Sequence, residues 1–96
     1  MSILVLLEIE TVDGGADKVI DGLRRNLGDT RARKGCESVT VHQDHDHPST
    51  LLLVERWATR EDDEAYRAWR AGPGAIEEIA PFIASRRVRY FDDLDA

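Results

Sequence analysis

Three groups of side chains in this 96-residue sequence have the types and spacing to do chemistry. The most conspicuous is HQDHDHP, residues 42–48, which holds all three histidines, His42, His45 and His47, with Asp44 and Asp46 between them. Neutral imidazoles beside carboxylates are ligands for zinc or nickel. The second is Glu55-Arg56-Trp57, which in a strand puts the carboxylate and the indole on one face. The third is Tyr66 with Trp69, three residues apart and so neighbours on a helix. A partly buried Glu55 would suit a general base, because burial disfavours its charged form. Tyr66 can donate a hydrogen bond to a phenolate or carbonyl oxygen, and Trp57, Tyr66 and Trp69 can stack on a flat aromatic ring.

Each of these groups also has a purely structural reading. Aromatics at strand and helix spacing serve as ordinary core, and Glu55 can form a salt bridge to an arginine on a helix or in a partner. Cys36, the single cysteine, has no activating neighbour in sequence to make it a nucleophile. Arg86, Arg87 and Arg89 alternate faces, so only part of that cluster can attract an anion. No Ser-His-Asp order, phosphate loop or zinc-spaced cysteine set is present.

The elements that must position these residues follow from periodicity. ILVLLEIE, residues 3–10, alternates as a strand with Ile3, Val5, Leu7 and Ile9 on one face and Leu4 and Leu6 on the other. After the turn signal DGG at 13–15, Ala16, Val19, Ile20, Leu23 and Leu27 recur at helical spacing up to Gly35. ESVTVHQ (37–43) and TLLLVERW (50–57) read as strands, the latter with Leu51, Leu53, Glu55 and Trp57 on one face. A second helix starts at the N-cap Thr59, with acidic residues in its first turn, and carries Ala65, Tyr66 and Trp69 until GPG at 72–74. Ile76, Ile79 and Ile83 suggest a short further helix ended by Pro81, and SRRVRYF (85–91) forms a fourth strand.

The order β-α-β-β-α-β predicts an α+β, ferredoxin-like domain over residues 1–96, in which a four-stranded antiparallel sheet carries two helices on one face. Strands one and three are apolar on both faces, and the chain has no third layer to cover the second face. A second copy packed there as a homodimer is the economical expectation. A net charge of −6 argues against nucleic acid or an anionic membrane as partner. One cysteine excludes an internal disulfide, and the apolar start ILVLL is too short for a signal peptide or a membrane span. The cytoplasm is the expected location.

The run RKGCESVTVHQDHDHPSTLLLVERWATREDDEAYRAW, residues 33–69, carries a Gly-Cys before strand two, an Asp-rich hairpin, ERW and an aromatic-bearing helix. In these features the sequence resembles the antibiotic biosynthesis monooxygenase domain. The resemblance implies a dimeric α+β barrel and, among several activities, oxygenation of phenols or quinols without flavin or metal. There the deprotonated, electron-rich substrate itself reduces molecular oxygen. It also implies a pocket between sheet and helices, lined by a tryptophan at Trp57 and a tyrosine at Tyr66. A pocket asparagine of the family's oxygenases falls on Leu53. The family's haem-degrading members use a helix histidine that would fall near Ile79, and no histidine follows His47.

The resulting expectation is a cofactor-independent monooxygenase acting on a small aromatic phenol or quinol and oxygen. Tyr66 and Glu55 are its candidate catalytic residues, and Trp57, Trp69 and Leu53 its candidate substrate-binding residues. The alternative is a non-catalytic, ligand-binding or accessory dimer, favoured by Leu53. The histidine-rich stretch falls at a hairpin tip, about 30 Å of extended chain from Trp57 at the usual strand rise. Turn chemistry is therefore the expected role of its Asp and Pro residues, with no metal assigned.

Overall fold

Leu7 and Ile9 of the first strand, with Val19, Leu23 and Leu27 of the first helix, are all buried in one cluster, so the two elements share a core. The computed structural model describes residues 2–96 and runs β1 (Ile3–Thr11), α1 (Ala16–Arg31), β2 (Cys36–Gln43), β3 (Thr50–Trp57), α2 (Arg60–Arg70), a 3-10 turn (Ala80–Phe82) and β4 (Ile83–Phe91). The sheet is antiparallel in the order β2-β3-β1-β4. This is the ferredoxin-like α+β fold that the order of elements predicts.

Alternation runs through β3 and through β1 from Leu4 onward. Val5, Leu7, Ile9, Leu51, Leu53, Glu55 and Trp57 are buried on the helix side, whereas Leu4, Leu6, Leu52 and Val54 on the other side are only half-buried. The register sets Leu7 between Leu53 and Val88, and Val5 between Glu55 and Tyr90, which puts Val88 and Tyr90 on the helix side. Phe91 pairs with Leu4 on the open side and is 40% exposed.

α2 begins as its sequence predicts. Thr59 Oγ1 accepts a hydrogen bond from the Asp62 N–H at 3.1 Å, with Glu61, Asp62 and Asp63 in the positive first turn and Arg67 and Arg70 toward the negative end. Gly35 adopts φ +86°, and a Cβ there would overlap the Asp62 carboxylate, so a glycine is what lets β2 start against the first turn of α2.

The isoleucines after GPG do not form the expected helix. Residues 75–76 are irregular and 77–79 form a turn, and the 3-10 turn has Pro81 in its first positions rather than at its end. Ile79 is nonetheless buried and Ile76 partly so, which means their spacing reflected burial alone. Proline is tolerated at the start of a helix, where its missing N–H has no partner to lose. β4 consequently begins at Ile83, with a register shift opposite Glu10 and Thr11. Among the described residues no helix is long and apolar enough to cross a membrane.

Candidate active site

α2 is short, and after Trp69 the chain turns back under its own ring. Gly74 N–H donates to the Trp69 carbonyl at 2.8 Å, and a Cβ at Gly74 would overlap the indole. The non-helical segment that follows leaves a cavity of about 780 Å³ between α2, α1 and the helix side of the sheet. Leu7, Ile9, Leu53 and Val88 form its floor, Leu23, Leu27, Ile76 and Ile79 its apolar walls, and Glu55, Tyr66, Arg67, Arg70, Arg86 and Tyr90 its polar groups. This size and balance suit a small organic ligand of two or three rings.

Two hydrogen-bond networks meet at this wall. In the first, Glu55 is 1% exposed, and its Oε1 accepts from Trp57 Nε1 at 2.9 Å and from Arg67 Nη2 at 2.8 Å. The same Arg67 nitrogen lies 3.0 Å from Asp63 Oδ1, one helical turn back, and Asp63 is fully buried. That second contact is a charge contact without hydrogen-bond alignment, since Oδ1 has no aligned donor. Asp63 Oδ2 accepts from the Tyr90 hydroxyl at 2.5 Å. Burial works against the Arg67 charge, but Glu55 and Asp63 more than offset it and raise its pKa. Burial, then the Asp63 carboxylate, push the Tyr90 hydroxyl up to about 12.

In the second network, Arg70 joins α1, α2 and the Gly74 loop. Its Nε donates to the Tyr66 oxygen at 2.8 Å, Nη2 to Thr30 Oγ1 at 2.9 Å and to the Asn26 carbonyl at 3.0 Å, and Nη1 to the Gly74 carbonyl at 3.0 Å. The Tyr66 and Thr30 oxygens are 2.6 Å apart. Both accept from Arg70, so a single proton bridges them and the other hydroxyl proton is free to turn away. When Thr30 supplies the bridge, the Tyr66 proton points to a ligand. Arg70 has no carboxylate within ion-pair distance among the described residues, so its charge is unneutralised at the cavity wall.

The sequence-selected aromatics do converge. Trp57 and Tyr66 ring centroids are 5.1 Å apart, and Tyr66 and Trp69 are 6.2 Å apart. Leu53, Glu55 and Tyr66 line the cavity, whereas Trp57 is fully buried behind Tyr66, and Trp69 packs on Gly74 beneath Arg70, 4.6 Å from its centroid. Sequence reasoning missed Thr30, Asp63, Arg67, Arg70 and Tyr90. A helical pair at i, i+4, Asp63 and Arg67, was a readable signal, as was the alternation placing Tyr90 with Val88.

The histidine-rich stretch is a turn. Asp44 Oδ1 accepts from the Asp46 and His47 N–H groups at 2.8 and 2.9 Å, and these bonds hold its carboxyl below its usual range. Among the described residues no group of three or more His, Cys, Asp or Glu side chains is placed to hold a metal. Cys36 is half-buried, and burial, then the nearby Glu55 charge, push its thiol up, away from the reactive thiolate.

Sheet, helices and half-open cavity together define a ferredoxin-like α+β domain with a ligand-sized pocket. The chain belongs to the antibiotic biosynthesis monooxygenase family, whose model matches residues 2–77. It is similar in structure to Rv0793 from Mycobacterium tuberculosis, with a TM-score of 0.78 at 19% identity over 100% of this chain and 98% of that one. A conserved protein from Methanosarcina mazei Go1 superposes with a TM-score of 0.83 at 12% identity, covering 98% and 94%. A structure described as an antibiotic biosynthesis monooxygenase gives a TM-score of 0.80 at 17% identity, covering 96% and 98%. At these identities the likeness concerns the fold. No curated protein matches the sequence.

Proposed function

We propose that this protein is a cofactor-independent monooxygenase acting on a small aromatic phenol or quinol. The observation that supports this most is the wall of the cavity. A buried carboxylate, a supported tyrosine hydroxyl and an unneutralised arginine converge on an otherwise apolar space of about 780 Å³. An apolar ring system fits such a space, and the three groups suit one ionisable oxygen. Glu55 takes the phenolic proton, with Oε1 tied to Trp57 and Arg67 and no hydrogen bond to Oε2 among the described residues. The resulting phenolate is stabilised by Tyr66 and by the Arg70 charge behind it. Trp57 and Trp69 act through Tyr66, fixing its ring, and Leu53 gives an apolar floor to the bound ring.

The electron-rich phenolate then reduces oxygen. One oxygen atom bonds to a ring carbon, and the second leaves as water with the hydrogen of that carbon and the phenolic hydrogen. Phenol plus O₂ thus becomes quinone plus water, and no outside reductant is consumed. The half-buried apolar face of Leu4, Leu6, Leu52 and Val54, with Phe91 at its edge, supports a homodimer sealed through the open side of the sheet. Sedimentation as a stable monomer at micromolar concentration would count against that dimer.

Oxygen uptake with a panel of hydroquinones and anthrone-like phenols, without added metal or flavin, tests the activity. Stoichiometric uptake with quinone formation is the expected result. Ligand binding seen by tryptophan fluorescence with no oxygen consumed would instead establish a non-catalytic binding protein. The all-carbon side chain of Leu53 on the cavity floor, in place of a polar group, is the observation that favours that second reading.

A further inference from the structure

Tyr90 and Asp63 lie outside the roles assigned so far, yet they connect the cavity to a fully buried cluster of charge. Tyr90 stands on β4 opposite Val5 and lines the cavity, and its hydroxyl meets Asp63 Oδ2 at 2.5 Å. Asp63 is completely enclosed, and its other oxygen has no aligned donor. Glu55 and Asp63 both lean on the single nitrogen Nη2 of Arg67, so two carboxylates face one guanidinium. With all three charged, the cluster carries one excess negative charge away from water, which is costly and is relieved by gaining one proton.

We propose that Tyr90 and Asp63 form a proton relay out of the cavity, so that a phenolic ligand passes its proton to the Tyr90 oxygen as the Tyr90 proton passes to Asp63. This rests on the phenol reading above and adds a second exit beside Glu55. The ligand O–H bond and the old Tyr90 O–H bond break, while a new Tyr90 O–H and an Asp63 O–H form. The negative charge moves from Asp63 to the ligand oxygen, and nothing is oxidised or reduced. The displaced charge comes to rest in a cavity that also presents Arg70, which has no carboxylate partner among the described residues.

Tyr90 suits this role because it need not ionise. Its proton is held too tightly to be lost to solvent at neutral pH, so it hands one proton on as it receives another. The charged and titratable groups around it are Arg60, whose Cζ sits 4.0 Å over its ring, Arg67 and Asp63 from α2, with Glu55 from β3 and Cys36 from β2 in the same cluster. Arg67, 3.0 Å from Asp63, holds charge on that carboxylate, so the drive for the transfer comes from the second carboxylate, Glu55, sharing the same guanidinium, and none of the other groups hydrogen-bonds Tyr90.

The test uses para-nitrophenol, whose phenolate is yellow and which is too electron-poor to be oxidised in the assay. Transfer inside the complex exchanges no proton with solvent. The wild-type complex should therefore show a phenolate fraction that stays level with pH in the range where the free dye is colourless. Tyr90→Phe and Asp63→Asn should both cut this level fraction several-fold while the dye still binds, leaving only what Glu55 takes. Oxygen uptake by Tyr90→Phe with a hydroquinone should fall by about a hundredfold at little change in KM. A level fraction that is undiminished in the folded variants, or is missing from a wild-type complex that binds dye, overturns the relay but leaves the cavity reading intact. A wild-type protein that binds no dye overturns both. If Asp63→Asn does not fold, Tyr90→Phe, which keeps the ring and its packing, decides the matter alone.

Discussion

Replacing Arg67 by methionine keeps most of the aliphatic stem and removes the one cation that two buried carboxylates share. Glu55 is 1% and Asp63 0% exposed, and they lose contacts of 2.8 and 3.0 Å together. Removing one partner of a buried ion pair costs about 3–5 kcal/mol, because the remaining charge is stranded away from water. The Arg67 side chain is itself 23% exposed, so water reaches the site and the lower end applies, about 3 kcal/mol. With a urea slope of about 1 kcal/mol per M for a domain of this size, the midpoint at pH 7 should drop by about 3 M. Protein concentration must be matched between samples, since a dimer links stability to concentration.

The pH dependence identifies the cause. In the variant the stranded carboxylates can shed their charge by taking up a proton, which the folded state then binds more tightly than the unfolded chain. The variant's deficit is therefore largest at neutral pH and shrinks as pH falls to about 4, near the ordinary carboxylate range. Urea unfolding at pH 7 and pH 4.5 measures both gaps. A deficit below about 1 kcal/mol at pH 7, or one of equal size at both pH values, would refute the view of this cluster as two carboxylates held by one arginine.

Gly35→Ala should lower the melting temperature by about 10 °C, because a left-handed alanine costs about 1–2 kcal/mol and its Cβ must also displace Asp62; an unchanged transition by calorimetry would contradict this. Tyr66→Phe should cost about 1–3 kcal/mol in chemical unfolding, since it leaves the buried Thr30 hydroxyl and Arg70 Nε without their shared partner, and should weaken phenol binding as well. Tyr90 binds its proton more tightly in the folded state, with a pKa raised from 10.0 to about 12. Its contribution is fully present below about pH 10 and is lost as pH rises through 12. Alkaline unfolding followed by circular dichroism should lose that step in Tyr90→Phe.

The strands and both helices were legible because each has one strong period and clear punctuation, such as Thr59 before the acidic turn of α2 and Gly35 before β2. The segment after GPG was not, because three isoleucines at helical spacing can equally be three separate insertions into a core, and only the chain path decides. At the site, side chains on one element were readable and partnerships between elements were not. Glu55 with Trp57 follows from strand alternation, and the salt bridge to a helix arginine that the sequence allows for Glu55 is the Arg67 contact. Thr30, by contrast, sits 40 residues from Arg70, and nothing in local pattern announces that they meet. Asp63 looked like one more acid favouring a helix start, which it is, and only its burial gives it a second meaning.

The distribution of charge bears on which form of a ligand enters. The sequence carries a net charge of −6, so a preformed phenolate approaches against the mean field, although salt screens this beyond about 8–10 Å. A neutral phenol meets no such opposition and loses little hydration on entering a cavity floored by Leu7, Ile9, Leu53 and Val88. Once inside, the same molecule faces an excess negative charge that gains by taking its proton and an unpaired Arg70 that gains by the anion left behind. Ionisation inside the cavity then needs no net change of buried charge, only its transfer from the carboxylate cluster to the ligand oxygen. An aromatic carboxylate of similar shape, already charged in solution, also meets Arg70 but has no proton to give the carboxylate cluster and enters against the mean field. It should bind more weakly than the matching phenol at pH 7, and the gap should widen as ionic strength is lowered.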